Sequence, residues 1–396
     1  MRIYTDNAAT TQMSRAAIDS MLQYMDKEYG NPSSLHTMGQ RASEALQSAR
    51  ETVAQQLGCT SREIYFTSGG SESDNQAILS AAAVGMAKGK KHIISTAFEH
   101  HAVLHVLKKL EREGFEITLL DVHKNGIVIP QELEAALRDN TCLVTVMYAN
   151  NEIGTIQPIP EIGEICRKHG IIFHTDAVQA VGHIPIDVNK QSIDMLSLSA
   201  HKFHGPKGIG ALYVRKGINL KVLIEGGAQE RGKRAGTENI PAIMGMAVAL
   251  REACSRMAEH ESKLIELRNR LIDSLKAVPH SVLNGDKASR LPGNVSFCFE
   301  GIEGEALLLL LDQQGICASS GSACTSGALE PSHVLLAIGH PHELAHGSLR
   351  LTLSDYNTDE EIIHIINTVP KVVEHLRSMS PLWKDMQEGK KAHVIQ

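Results

Sequence analysis

Short runs of apolar and β-branched residues alternate with longer amphipathic stretches between residues 62 and 215. Seven runs have the length and composition of buried strands: Glu63–Thr67, His92–Ser95, Glu116–Asp121, Cys142–Tyr148, Ile171–Thr175, Met195–Ser199 and Ile209–Val214. Helical patterns lie between them, at Ser71–Ala87, His100–Glu113, Gln131–Arg138 and Ile159–His169. This alternation predicts a mostly parallel seven-stranded sheet covered by helices, with ligands beyond the carboxyl ends of the strands.

The pattern changes near residue 239, where Thr237, Glu238 and Asn239 include good helix N-cap candidates and Pro241 suits a first helical turn. We expect a long helical stretch from there to about Val278, with room for one break. A shorter α+β region follows, and its predicted elements are the strands Asn294–Phe299 and Ser348–Leu353 and the helices Glu303–Gln314 and Asp359–Arg377. The polar tail after Ser380 is predicted to fray.

Two domains are therefore expected, a large α/β domain (residues 14–255) and a small α+β domain (residues 1–13 and 256–396). The 396 residues suffice for two cores. The net charge of −6 argues against general binding to nucleic acid or to anionic membranes. The chain has no segment typical of a secretion signal or a membrane span, and its seven cysteines do not resemble a disulfide framework. A cytoplasmic protein is predicted.

Two of the predicted strands are followed by residues suited to an aldehyde and a phosphate. Lys202 comes directly after Met195–Ser199, and a lysine with a lowered pKa can form a Schiff base. The glycine-rich segment Ser68–Ser73 opens a helix after another strand, where free N–H groups favour a phosphate. Because it matches no nucleotide-binding motif, the alternative is an ordinary capped turn.

Three further positions each have a structural and a functional interpretation. Asp176 ends an apolar strand, where its carboxylate could pair with a pyridinium nitrogen or cap a helix. His100 and His101 could cap the next helix or stack on a ring, and a zinc pair of His101 with His105 is a minor alternative. Arg350 lies in a strand, where it could bind a substrate carboxylate or form an internal salt bridge.

Cys324 differs from the other cysteines because Ser, Gly and Ala residues surround it. This composition predicts an accessible and reactive thiol, whereas Cys142, Cys166 and Cys298 have apolar neighbours and are predicted to be buried. A His-Glu-x-x-His match at 342–346 resembles a zinc-protease motif, but nearby Gly and Pro residues limit its helix to under two turns. We interpret it as a chance match and predict no metal site.

Taken together and in this order, these segments resemble the cysteine desulfurases of the iron–sulfur cluster and nitrogen-fixation type, within the class V aminotransferases. Further matching segments extend the resemblance over nearly the whole chain: Tyr4–Thr11, Gly30–His36, Asn150–Gly154, Gln229–Asn239 and Ser319–Ser326. The last of these is similar to the long loop of one subgroup. The resemblance implies the fold-type I architecture of pyridoxal-phosphate-dependent transferases.

The resemblance also implies roles in binding pyridoxal 5'-phosphate. Lys202 would be the Schiff-base lysine, Asp176 would pair with the ring nitrogen and Gln179 with the ring hydroxyl. His100 would stack on the ring and help to move protons, and Asn151 would position cofactor and substrate. The implied phosphate ligands are Gly70, Ser71, Ser199 and His201, with Thr237 donated by the other subunit of a homodimer.

The implied reaction converts L-cysteine into L-alanine. Arg350 and Asn31 would bind the substrate carboxylate, and Cys324 would be the nucleophile that takes the sulfur as a persulfide. Acceptor proteins such as a cluster scaffold or a tRNA-thiolating enzyme would then receive the sulfur, and Cys324 could transiently hold an iron–sulfur cluster. A selenocysteine lyase or another class V pyridoxal-phosphate enzyme is the alternative.

Overall fold

The computed structural model describes residues 2–320 and 331–395. Within these ranges the chain forms twelve β-strands, which are β1 (Ile3–Tyr4), β2 (Ile64–Thr67), β3 (His92–Thr96), β4 (Glu116–Leu120), β5 (Thr141–Thr145), β6 (Ile172–Asp176), β7 (Met195–Ser199), β8 (Gly210–Val214), β9 (Ser281–Leu283), β10 (Asn294–Phe299), β11 (Ile316–Cys317) and β12 (Ser348–Thr352).

Fourteen α-helices accompany these strands over the same ranges. They are α1 (Arg15–Asp26), α2 (Thr37–Leu57), α3 (Gly70–Ala87), α4 (His101–Arg112), α5 (Pro130–Ala136), α6 (Ile159–His169), α7 (Gln229–Gly232), α8 (Ile240–Ser255), α9 (Met257–Lys276), α10 (Gly304–Gln313), α11 (His333–Ala337), α12 (His342–Ala345), α13 (Asp359–Met379) and α14 (Pro381–Gln387). None of the helices in the described residues is long and apolar enough to cross a membrane.

The central sheet has seven strands in the order β2-β8-β7-β6-β5-β3-β4. Strand β8 runs antiparallel to both of its neighbours, and the other pairs are parallel. The predicted mostly parallel seven-stranded sheet is therefore confirmed. The largest difference is at β5, which ends at Thr145 rather than at Tyr148. Beyond Thr145 the chain stays beside β6 through irregular bonds, such as that from the Tyr148 N–H to the Asp176 carbonyl (2.8 Å).

Burial on both faces explains why these strands are continuous apolar runs. Every residue of β3, β5, β7 and β8 is buried. One face of the sheet packs in a cluster that includes Phe98 and Phe173, and the other in a cluster that includes Ile93 and Leu212. Helix α3 lies on the second face, and a Cβ on its Gly85 would be 2.5 Å from the Cys142 Cβ. The small side chains of α3 thus permit its close contact with the sheet.

A smaller region surrounds the antiparallel sheet β12-β10-β9 and the two-stranded sheet β1-β11. Its hydrophobic cluster includes Leu271, Phe297, Leu351 and Ile365, together with Ile3 from the start of the chain. Arg256 separates α8 from α9, so the long helical stretch has one break, for which the sequence had left room. The domain boundary at that point stays a prediction.

The tail after Ser380 is ordered, so the prediction that it frays is wrong. The Ser380 hydroxyl accepts a hydrogen bond from the Trp383 N–H (3.2 Å) and caps α14, whose Met386 is buried. Further along, the buried Glu300 carboxylate accepts hydrogen bonds from His393 Nδ1 (2.8 Å) and from the Val394 N–H (2.5 Å). The contacts with Glu300 join residues 93 and 94 positions apart, which local polarity along the sequence does not reveal.

A buried ion pair joins α2 to the segment that precedes α8. The Arg50 guanidinium donates two bonds to the Glu230 carboxylate (2.7 and 2.6 Å), and the same carboxylate accepts from the Phe66 N–H at β2. The two side chains are 7% and 2% exposed. Since a buried charge without its partner is costly, the pair holds α2, which carries Arg50, against α7, which carries Glu230. The bond from Phe66 ties β2 to the same carboxylate.

Replacing Glu230 with Gln is expected to lower the free energy of unfolding by about 3 kcal/mol, because Arg50 would keep its charge without a counter-charge. Denaturant unfolding of the two proteins measures the difference. The matched control is Glu113→Gln, which breaks the half-exposed Lys109–Glu113 pair (2.6 Å) and is expected to change nothing measurable. An equal loss of unfolding free energy in both variants would show that burial does not strengthen the Arg50–Glu230 pair.

Candidate active site

The carboxyl ends of four strands bring the predicted polar residues to one edge of the sheet. Gly69 and Gly70 follow β2, His100 follows β3, Asp176 ends β6, and Ser199 ends β7. A side-chain ligand atom of His100, one of Asp176 and one of Asp74 lie within 4.8 Å of one another. Such an edge is the usual ligand position in an open α/β sheet.

The glycine-rich segment forms an open start to helix α3. Gly69 has a φ of 150°, and no side chain caps the helix. A Cβ on Gly70 would lie only 2.6 Å from the Val178 Cγ2, and the nearest atom to a Cβ on Gly69 would be the Ser199 Oγ at 3.6 Å. The backbone N–H groups of the first turn and the Ser199 hydroxyl are therefore neighbours, as an anion site requires. Ser71 is exposed at this helix start.

Asp176 is a buried carboxylate with groups around it that favour its anion. Burial raises its pKa, whereas His100, the Val178 N–H (3.0 Å from Oδ1) and Lys202 oppose that shift. His100 caps α4 by accepting the Ala102 N–H on Nδ1 (3.1 Å), which is one of the alternatives that the sequence left open for His100 and His101. Asp176 also accepts a backbone N–H in the manner of a cap, so the structural interpretation and a role in ligand binding are compatible.

The Lys202 amine points to the N-terminal segment. Its Nζ donates to the carbonyl oxygens of Ala8 and Ala9, the latter at 2.9 Å. Gln179 is buried, and its Nε2 donates to the same Ala8 carbonyl (2.9 Å). His183 Nε2 donates to the Lys202 carbonyl (2.9 Å) and holds the backbone of this turn. The N-terminal segment thus forms one wall of the site.

His201 precedes the lysine and is held as a neutral imidazole. Burial, with Lys202 and Lys207 as further causes, lowers its pKa to about 4. Its Nδ1 lies 3.2 Å from the Thr10 hydroxyl. A neutral ring can offer one N–H to a ligand, so His201 would act near neutral pH as a hydrogen-bond donor rather than as a cation.

Arg350 forms the internal salt bridge that was one of its two interpretations. Its side chain is 4% exposed, and its guanidinium donates to Asp6 Oδ1 (2.8 Å) and to the Asn151 carbonyl (3.2 Å). The Nε atom is buried without a hydrogen-bond partner in the described part of the chain. The ion pair and a role toward a ligand are therefore compatible. Asn151 itself lies at the turn after β5, with its carbonyl on this arginine.

Three of the predicted site residues stand apart from this group. Asn31 is exposed, and its Oδ1 accepts the Ser33 N–H in its own turn (2.9 Å). Thr237 is exposed on the segment before α8. Cys324 lies outside the described residues, between Ser320 and Pro331. The roles of all three stay predictions.

Buried acids near the site are the residues that sequence reasoning missed. Burial raises the pKa of Glu99 to about 8 and that of Glu152 to about 7, and it raises the pKa of Asp74 well above its ordinary value. Glu99 accepts from the Thr96 hydroxyl (2.7 Å), and Glu152 accepts from the Ser332 hydroxyl. The only local signal for these three acids was their position, at a predicted helix start or in a tight turn.

The histidines of the alternative zinc pair lie close together, but they are not among the described groups of three or more side chains whose donor atoms lie near enough to share a metal ion. The rings of His101 and His105 are 5.2 Å apart, and the His333 ring is 4.7 Å from that of His101. The helix of the His-Glu-x-x-His match, α12, has only four residues, as the flanking Gly and Pro predicted. Its Glu343 pairs with Lys391 (2.7 Å).

Comparison with known proteins agrees with this geometry. The family model Aminotransferase class-V matches residues 3–365. A protein named cysteine desulfurase IscS, from Methanosarcina thermophila, is 54% identical over 380 residues, which cover 96% of this chain and 94% of that protein. The chain belongs to the class V aminotransferase family, among the cysteine desulfurases.

Solved structures of similar proteins share the fold. A chain described as a NifS-like protein has a TM-score of 0.89 at 38% identity and covers 95% of this chain and 100% of its own length. A structure described as SspA in complex with cysteine has a TM-score of 0.79 at 37% identity, with coverage of 90% and 100%. The class V aminotransferases are pyridoxal-phosphate enzymes, so the polar edge of the sheet is the place to test for that group.

In this class V chain, Gly70→Ala is expected to weaken the affinity for pyridoxal 5'-phosphate at least about tenfold. The new Cβ would meet the Val178 Cγ2 at 2.6 Å and push the start of α3 away from Ser199. Visible absorbance during cofactor titration measures the change. Gly89→Ala is the control, since Gly89 has a positive φ (71°) but a Cβ added there would have no atom within 4 Å. Unaltered affinity in Gly70→Ala would refute the assignment of a phosphate cradle to the start of α3 at Gly69 and Gly70.

Proposed function

We propose that this chain is a cysteine desulfurase that binds pyridoxal 5'-phosphate, converts L-cysteine into L-alanine, and takes the sulfur onto Cys324 as a persulfide. The observation that carries the proposal is the single edge of the sheet where an uncapped helix start, a buried aspartate and a lysine lie together. Full-length relatives named cysteine desulfurase support it.

The residues of this edge suit the cofactor in their chemistry. The cradle at Gly69 and Gly70 provides N–H donors for a phosphate, with Ser199 beside it. Asp176 provides a buried anion for a protonated ring nitrogen, and His100 lies next to that anion. We further propose that Ser71 and His201 donate to the phosphate and that Gln179 faces the ring hydroxyl.

When bound, pyridoxal phosphate supplies an aldehyde for the substrate amine and a ring that withdraws electrons from the substrate Cα. The residues of this chain would then hold and move protons. The Lys202 Nζ is the amine placed to hold the aldehyde and afterwards to accept the Cα proton. Asp176 keeps the ring protonated because its own anion is favoured by His100, Lys202 and a backbone N–H.

Arg350 is the proposed site for the substrate carboxylate. Its guanidinium is already oriented by Asp6 and the Asn151 carbonyl, so a second carboxylate would meet a fixed donor. The buried Nε without a partner is one donor left for that purpose among the described contacts. Fixing an arginine in this way reduces the entropy lost when the substrate binds.

The sulfur step uses the thiol of Cys324. Its thiolate would attack the sulfur of the substrate, forming the S–S bond while the substrate C–S bond breaks and leaves its electron pair on the carbon that becomes the methyl group of alanine. The described residues on either side of 321–330 are anchored beside Arg350 and Asn151. The Ser319 N–H donates to the Arg350 carbonyl (3.1 Å), and the Ser332 hydroxyl donates to Glu152.

The partners belong to the same proposal. Thr237 is exposed in the single chain, which suits donation of its hydroxyl to the phosphate site of a second subunit in a homodimer. L-Cysteine is the proposed substrate, and proteins that accept a persulfide, such as a cluster scaffold or a tRNA-thiolating enzyme, would receive the sulfur in the cytoplasm. Neither a membrane nor a nucleic acid is needed for this chemistry.

Cys324→Ala is expected to abolish the release of alanine and sulfide from L-cysteine, by at least about a hundredfold in kcat. Cys317→Ala, which removes a half-buried thiol on β11, is the matched control and is expected to remain active. Lys202→Ala should be inactive whether or not the reaction requires Cys324. If Cys324→Ala retains desulfuration while Lys202→Ala loses it, the persulfide step is wrong, and retained activity on selenocysteine alone would favour a selenocysteine lyase.

Arg350→Lys is expected to raise the KM for L-cysteine about tenfold or more, because an ammonium group cannot bind a carboxylate with two parallel hydrogen bonds. Steady-state kinetics measures the effect. Asp6→Asn breaks the same ion pair but keeps the guanidinium, so a smaller rise in KM is expected there. A larger rise in Asp6→Asn than in Arg350→Lys would assign the effect to the ion pair instead of to substrate binding.

A further inference from the structure

Asp74 lies inside α3, directly behind the proposed cofactor site, and takes no part in the chemistry proposed for that site. Its side chain is 1% exposed. One of its carboxylate oxygens lies within 4.8 Å of ligand atoms of Asp176 and His100. Two carboxyl groups are thus buried side by side, with Asp176 toward the site and Asp74 behind it.

Among the described residues, the closest basic group to Asp74 carries no charge. This group is His174 on β6, whose Nε2 is 3.6 Å from Asp74 Oδ1 and 3.0 Å from the Ser197 hydroxyl. Burial lowers the pKa of His174 to about 3, so this imidazole is neutral. Besides Asp176, the acid that faces Asp74 is the buried Glu99.

The hydrogen-bonding of Asp74 also disfavours an anion. Its Oδ1 is buried and accepts no hydrogen bond among the described residues. The nearby Ser197 hydroxyl favours the anion, but burial, Asp176 and Glu99 outweigh it and keep the pKa of Asp74 well above its ordinary value. An ionised oxygen in that position would be costly, whereas a neutral carboxylic acid leaves no charge unpaired. Two adjacent buried carboxylates cannot both ionise easily, so one proton stays with the pair.

We propose that Asp74 is a positioning residue that keeps this proton, so that Asp176 carries the only negative charge of the pair and presents it to the ring nitrogen of the cofactor. The division follows from the neighbours in the described part of the chain, since Lys202, His100 and the Val178 N–H favour the Asp176 anion. The basic group nearest to Asp74 is instead the neutral His174. The role of Asp74 toward the cofactor rests on the proposed function. The location of the proton rests on the structure alone.

The proton is tested on the apoprotein. A carboxyl group whose pKa is raised by folding is ionised in the unfolded chain above about pH 4 and neutral in the folded chain. Each added pH unit then favours unfolding about tenfold until the pH passes the folded-state pKa. Asp74→Asn keeps the shape of the neutral acid without titrating, so above about pH 5 the logarithm of its unfolding constant should rise by about one less per pH unit, for as long as Asp74 of the folded wild type stays protonated. An unchanged slope would overturn the proposal.

The positioning is tested by adding pyridoxal 5'-phosphate and following its visible absorbance against pH. Asp74→Asn is expected to keep the wild-type affinity for pyridoxal 5'-phosphate and the pH midpoint of its absorbance change. Asp74→Ala is expected to shift that pH midpoint. Glu99→Gln is the control: it neutralises another buried carboxyl, held by Thr96 and the Met147 N–H, and should lower the stability slope without moving the midpoint.

Two results would overturn the positioning role. One is a midpoint moved by about a unit or more in Asp74→Asn, which would mean that Asp74 supplies charge to the site. The other is an unmoved midpoint in Asp74→Ala, which would leave Asp74 only a structural role. If wild type itself takes up no pyridoxal phosphate, the proposed function fails, and the apoprotein slopes still decide where the proton is.

Discussion

The buried guanidinium of Arg350 is the constraint on which the arrangement of the site depends. A charge with only 4% of its side chain exposed must be paired, and its partners come from segments far apart in the chain. Asp6 lies 344 residues away and provides the counter-charge, Asn151 provides a carbonyl from the sheet edge, and Ser319 exchanges backbone bonds with Arg350. One side chain therefore brings the N-terminal segment, the large sheet and β12 into fixed relation.

That relation also positions the lysine. Because Asp6 is held by Arg350, the following residues Ala8 and Ala9 are placed to accept the Lys202 amine, and Gln179 bonds to the same Ala8 carbonyl. The wall of the site is thus backbone from the start of the chain. Burial keeps the imidazoles of His174 and His201 neutral. At Asp176 the effect of burial is opposed by His100, Lys202 and the Val178 N–H.

Much of the fold could be predicted because its signals are local. The strands Met195–Ser199 and Asn294–Phe299 have the predicted bounds, and Asn239 caps α8 by accepting the Ala242 N–H (3.2 Å). Helices α1 and α2 were not predicted, although Ser14 caps α1 and Gly58 ends α2 in the left-handed region. The tail was predicted wrongly, because its order depends on Glu300, a residue distant in sequence.

The sequence by itself determined which residues follow which strands, and hence that Gly70, His100, Asp176 and Lys202 meet at one edge, because parallel strands all end on the same side of a sheet. Only the tertiary structure decided which charges are paired. The contacts of Arg350 with Asp6 and of Asp74 with Asp176 join segments that no periodicity relates. Whether a buried acid is ionised depends on the neighbours that the complete fold brings to it, so burial and protonation state follow from packing rather than from pattern.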